Sequence, residues 1–262
     1  MQSYANEVDS SCLTLIANNQ CLNALEVCRI DAEQGDPKAQ TALGMLLSGI
    51  THGDFRKNYK QSFYWVQQAA EQGYSKAQFA IAEMYMNGQV VPMNAKKAKV
   101  WYEKAAAEDN LDGLNGLARL YRYGTGVRKD YEKAFQYYQQ GALEGHTRSQ
   151  VGLGLSYRDA KGVKKNMVKA YAWLLIAAEK IDKQRLQAIE KHYKDERENL
   201  DQTMPQCKYL SRLDQMSETM TIGYAKKMLL DLKQRMSIKQ INKAKKLALE
   251  IKKERAFTRS VL

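Results

Sequence analysis

The chain has 262 residues, 44% of them apolar, and a net charge of +12, which fits one large or two small globular domains and excludes a disordered polymer. No apolar run approaches the roughly 18 residues that a membrane span requires, and the opening "MQSYANEVDSSC" has neither a basic leader nor a long apolar segment. Residues 1–30 carry 1 Lys/Arg against 3 Asp/Glu, residues 31–180 carry 21 against 15, and residues 181–262 carry 19 against 11; such a basic excess speeds encounter with acidic partners without naming one.

In chain order, the first predicted element is a helix over residues 20–34, part of an N-terminal partial repeat or cap spanning 1–34. It carries Cys21 and Cys28; Cys12 precedes it and Cys207 lies far downstream. No pair has the C-x-x-C spacing of a zinc or redox site. Two helical turns, about 10 Å, separate Cys21 from Cys28, beyond disulfide reach, so a bridge in this region would join Cys12 to one of them. Such a clip implies an oxidising compartment, while free buried thiols suit the cytosol equally. The pairing among the four stays open.

Residues 121–130, "YRYGTGVRKD", have the glycines and basic residues of a phosphate loop. Similar stretches recur 36 residues to either side, "YMNGQVVPMN" at 85–94 and "YRDAKGVKKN" at 157–166, and none ends in Gly-Lys-Ser/Thr. A turn between helices is needed once per repeat, so these are turns. Trp65, Trp101, Tyr137 and Trp173 share the period, as do Ser62, Ala98, Ala134 and Ala170. Ala39, Ala77, Gly113 and Ser149 form another set, followed by Leu43, Ile81, Leu117 and Leu153. Within one repeat Ala77, Ile81 and Tyr85 keep helical spacing, as do Ala98, Trp101 and Ala105. Four helix-turn-helix repeats result, at 35–72, 73–108, 109–144 and 145–180. Gly35, Gly73 and Gly145 end second helices in the left-handed conformation, with Asp109 in the third case. One pair cannot bury its apolar face alone, so the pairs stack, and Trp101 is expected to be packed on both sides.

Residues 181–225 read as a charged helical extension broken at Pro205, a spacer rather than a docking arm. Residues 226–262 read as capping helices. Ser237 and Gln240 form a capping box; Ile238, Ile241, Ala244, Ala248 and Ile251 make one apolar face, and Lys239, Lys243, Lys246 and Lys253 face water.

The segments "AQTALG", "GTGVRKDYEKAFQYY" and "WVQQAAEQG" resemble the Sel1-like repeat, a relative of the tetratricopeptide repeat, over about residues 31–180. The resemblance implies an all-α, right-handed α-α superhelix that binds other proteins, without catalysis or cofactor of its own. In bacteria such proteins are often periplasmic or secreted, the expected location here in preference to the cytoplasm. The stretch "LLDLKQRMSIKQINKAKKLALEI" is similar to the capping helices of bacterial members. The family lines its concave face with one stripe of each first helix. Placed here by helical spacing, that stripe gives Lys38, Thr41, Met45 and Ser48 in repeat one, Lys76, Phe79, Glu83 and Met86 in repeat two, Asp112, Asn115, Arg119 and Arg122 in repeat three, and Arg148, Val151, Leu155 and Arg158 in repeat four. Arginine forks suit carboxylates and Phe79 and Met86 suit apolar side chains, so the expected ligand is an acidic peptide or protein segment.

Other functions fit less well. His52, His146 and His192 stand apart, each read as an ordinary surface residue, and no H-E-x-x-H or G-x-S-x-G occurs, so no catalytic or metal residue is nominated. Nucleic-acid binding through the basic stripe is an alternative, but the stripe lacks the fixed side-chain code of helical-repeat RNA readers. A cell-envelope or cell-wall-associated role is another; the cysteine-rich family branch with one disulfide per repeat finds no counterpart, since residues 35–180 contain no cysteine. Oligomeric state is left open.

Overall fold

Small residues at the contact positions of each repeat let paired helices approach closely, and the computed structural model is built on those contacts. It describes residues 12–17, 21–49, 55–88, 91–179 and 207–261; His52, His192, Pro205 and the charged stretch 180–206 lie outside the described residues. The described elements are helices: α1 (Cys12–Ala17), α2 (Cys21–Glu33), α3 (Pro37–Gly49), α4 (Phe55–Glu71), α5 (Ser75–Asn87), α6 (Ala95–Ala107), α7 (Leu111–Tyr123), α8 (Tyr131–Leu143), α9 (Thr147–Asp159), α10 (Met167–Ala178), α11 (Cys207–Arg235) and α12 (Ile238–Val261). Among the described residues no helix is long and apolar enough to cross a membrane. The chain divides into two units, one holding α1 to α6 with the opening turns of α11 to Asp214, the other holding α7 to α10, α11 from Gln215 and α12.

In the first unit Cys12 and Cys28 form a disulfide that fastens α1 to α2. Both residues are buried, beside Ala24, Ala32 and Leu43. Cys28 is thus the partner that helical spacing left undecided; the side chains of Cys21 and Cys207 lie outside the described residues. Where α3 meets α4, a Cβ on Gly44 would sit 2.4 Å from Val66 Cγ2, so the approach requires glycine. The glutamine of each repeat motif is a structural tie: the amides of Gln40 and Gln78 donate to the carbonyls of Ala32 and Ala70, 3.1 and 3.3 Å away. That bond closes a buried polar group onto the end of the preceding helix. The more deeply buried ring at the α5–α6 contact is Tyr102, while Trp101 packs from the side against the cluster of Val66, Ala77 and Ile81. Trp101 is half-buried with the Lys104 ammonium 4.2 Å over its ring. One residue is about 100° of helix rotation, enough to exchange the inward and the lateral positions.

In the second unit the glycine-rich stretches are turns. Asn110, Asp130 and Asn166 cap α7, α8 and α10 by accepting backbone N–H bonds, and the Asp130 and Asn166 amides donate back to the Tyr121 and Tyr157 carbonyls at 2.9 Å. Gly124 has a φ of 74°; Ala160 fills the equivalent place in the next repeat at 56°, a conformation costing an L-residue about 1–2 kcal/mol. Asp109 likewise adopts a φ of 55° just after α6. α10 is buried over most of its circumference, from Ala170 to Ala178, because α12 packs on it. The Ser237–Gln240 box opens α12, with the Ser237 amide donating to Gln240 Oε1 at 2.9 Å and the Gln240 amide to Ser237 Oγ at 3.3 Å. Ala244 and Ala248 are buried as expected, whereas Ile238 is 79% exposed; Leu232 of α11 and Met236 just after it are buried nearby in sequence.

α11 runs unbroken through residue 225, where the sequence suggested a boundary. Ile222, Ala225 and Leu232 are fully buried at helical spacing, so one buried seam runs along the helix across residue 225. Thr147 donates to the Glu218 carboxylate at 3.1 Å, and Arg158 Nη1 donates to Met228 Sδ at 2.8 Å. α11 therefore lies along α9.

Candidate partner-binding groove

α7 and α9 are the first helices of consecutive repeats, and spacings of three and four residues put each one's stripe on a single face. In the second unit these stripes border a cavity of about 400 Å³. Asn115, Arg119 and Arg122 of α7, Arg148, Val151 and Leu155 of α9 and Tyr138 of α8 line it, and Met220, Thr221 and Tyr224 of α11 form a further wall. Tyr138 lies close under α9 because residue 152 is glycine: a Cβ there would fall 2.5 Å from the ring.

The arginines differ in how far the chain already occupies them. Arg158 donates two bonds to its neighbour Asp159, at 2.6 and 3.0 Å, besides the one to Met228. That hydrogen bonding raises the Arg158 pKa and, against the opposing effect of burial, lowers that of Asp159. Arg158 is thus held by α11 and Asp159 and does not line this cavity; it borders another, with Asp159, Asp231 and Arg235. Arg148 donates to Asp112 at 2.6 Å. Arg122 differs from both: its side chain is 11% exposed, its nearest approach to the Asp159 carboxylate is 3.9 Å, and its buried Nε has no hydrogen-bond partner among the described residues. Arg119 is exposed at the rim.

A polar network supports this wall. His146 bridges Asp112, 3.1 Å from Nε2, and Ser149, 2.9 Å from Nδ1, and the Asn115 amide donates to Ser149 at 3.4 Å. Burial pushes the Asp112 carboxyl up, but the His146 hydrogen bond and the charges of His146 and Arg148 outweigh it and hold the pKa below the ordinary value. His146 is thus half-buried and positions groove residues, which corrects its reading as an ordinary surface residue. Burial pushes the Tyr138 hydroxyl up to about 12 although Arg122 and Arg119 pull it down, so near neutral pH it is an uncharged hydrogen-bonding group beside the guanidinium groups.

The expected residues of the first unit have a different character. Lys38 and Lys76 are exposed, and Phe79 and Met86 are half-buried. Phe79 packs on Tyr102 with ring centroids 6.0 Å apart, and Glu83 accepts the Tyr102 hydroxyl. Phe79 and Glu83 are thus engaged in the chain's own packing. Tyr138, Met220, Thr221 and Tyr224 were not identified from sequence. Tyr138 did carry a signal, being 36 residues from the buried Tyr102. The α11 residues carried none, since nothing local says that residue 220 returns to residue 155. Among the described residues no group of three or more His, Cys, Asp or Glu could hold a metal ion.

The Sel1 repeat family model matches residues 37–74, 75–110, 111–146 and 147–182. Among solved structures, a protective antigen of uropathogenic Escherichia coli strains displaying an SLR fold is similar at 30% identity and a TM-score of 0.56, over 65% of this chain. A Sel1 repeat protein from Oxalobacter formigenes is similar at 29% identity and a TM-score of 0.55, over 67% of this chain and 71% of its own. The match spans 36% of the length of the Escherichia coli antigen. The search of curated proteins found no match.

Proposed function

The chain belongs to the Sel1 repeat family, whose members are generally protein–protein interaction scaffolds, and from that premise we propose that it is a non-catalytic scaffold or adaptor holding an acidic segment of another protein at Arg119, Arg122 and Arg148. The mostly buried Arg122, whose Nε has no hydrogen-bond partner among the described residues and whose carboxylate neighbour Asp159 is 3.9 Å away, carries the reading. A mostly buried guanidinium whose nearest carboxylate is 3.9 Å away is only loosely compensated, and a carboxylate entering the adjoining cavity would accept from its planar fork. Tyr138, neutral and close by, and Asn115 offer further hydrogen bonds to the same anion.

Cross-linked pull-down from the source cells tests it, comparing wild type with Arg119→Glu/Arg122→Glu of matched melting temperature. We expect a protein captured by wild type to be lost from the variant and to be retained as salt rises. Identical captures would overturn the reading, and capture of nucleic acid with a steep salt dependence would replace it.

The Cys12–Cys28 bridge supports an oxidising compartment, periplasmic or secreted, as the place of action. Peptide mass maps of protein from the source cells, with and without reduction, test this: a linked Cys12–Cys28 peptide is expected, and two free thiols would count against it.

A further inference from the structure

The arginine cavity has one wall that the repeats do not supply. Met220 and Tyr224 stand one helical turn apart on α11, 73% and 45% exposed, on a different side of the helix from the buried Ile222 and Ala225. α11 thus has a buried seam and a second edge that leaves large apolar surface in water beside guanidinium groups. Two ties hold that edge in register with α9: Glu218 accepts from Thr147 just before it, and Met228 accepts from Arg158 just after it. Across the cavity stand Val151 and Leu155. A purely electrostatic clamp needs no such wall, and exposing it to solvent is unfavourable by roughly 25 cal/mol for every Å² that a ligand could cover.

We infer that Met220 and Tyr224 are specificity-determining residues, so that the segment recognised is one in which a carboxylate is accompanied, within about one helical turn, by a large apolar side chain. The inference rests on the arginine reading above and adds a second requirement to it. The carboxylate takes the Arg122 and Arg119 side; the apolar side chain covers Met220, Tyr224 and Leu155. A cavity of about 400 Å³ suits side chains of that size, near the lower end of ligand sites at roughly 300–1,000 Å³.

Selection from a display library of random dodecapeptides on the immobilised full chain tests it. Wild type should enrich peptides with Asp or Glu within four positions of Leu, Ile, Phe or Trp. Met220→Ser/Tyr224→Ser, which alters exposed residues and should melt as wild type does, should keep the acidic preference, lose the apolar one, and bind the wild-type peptides at least about tenfold more weakly. Acidic enrichment without an apolar companion in the wild-type selection would overturn the inference and leave the arginine reading standing, whatever the variant's stability. The same peptides at the same affinity on both proteins would do so too. No acidic enrichment on wild type would overturn both.

Discussion

α7 and α9 occupy the same position in consecutive repeats, and their stripes align residue for residue: Asn115 with Val151, Arg119 with Leu155, Arg122 with Arg158. Yet Arg158 is held by Asp159 and Met228, while Arg122 keeps an unpartnered Nε at the edge of a cavity. The difference is α11, which lies along α9 and, with Tyr224, walls the cavity beside α7. Equivalent repeat positions are therefore not equivalent sites; what packs over a stripe decides whether its charges are spent within the chain or presented.

The strongest way to break the contrast is to loosen the cover. Leu232, fully buried on α11, should cost about 2–5 kcal/mol when replaced by Ala, from lost burial and the cavity left behind. Amide exchange should then speed up in α9 more than in α7; equal acceleration in both would show that α11 does not cover α9 selectively.

A smaller effect separates the two arginines directly. Arg158→Gln removes a paired charge and should lower stability by about 0.2–1 kcal/mol, the range of partly exposed ion pairs. Arg122→Gln should leave the urea midpoint within error of wild type and weaken capture of the partner. A reversal of these outcomes would place the binding site on α9.

The smallest effect lies in acid. The folded pKa of Asp112 is below its ordinary value of 3.8, so its contribution is fully present above that value and disappears as pH falls through the lower folded one. Asp112→Asn should flatten the acid limb of stability below about pH 3.8 and leave the neutral plateau displaced by a constant amount. An unchanged acid limb would mean that the His146 and Arg148 contacts do not persist in solution.

Much of this molecule could be read from spacing. The turns and the left-handed Asp109 follow from a 36-residue period laid on helical geometry, and the capping box at Ser237 from its local pattern, whereas the stripe of Asn115, Arg119, Arg122 and Arg148 is placed by the family resemblance. Misreadings arose where a single rotation or a distant contact decided. Trp101 keeps the period, but the neighbouring Tyr102 takes the inward place. His146 seemed isolated because its partners Asp112 and Ser149 belong to different repeats, 34 and 3 residues away.

What the sequence determined by itself is the repeat: which residues turn, cap and face a helical neighbour, because those choices depend on contacts within a few residues that recur four times. Which arginine stays unspent, which cysteine closes the α1–α2 clip, and which apolar residues wall the cavity were decided by tertiary structure alone. Each depends on segments far apart in the chain meeting at one place, as Tyr224 and Leu155 do in lining one cavity, and no local preference encodes that meeting.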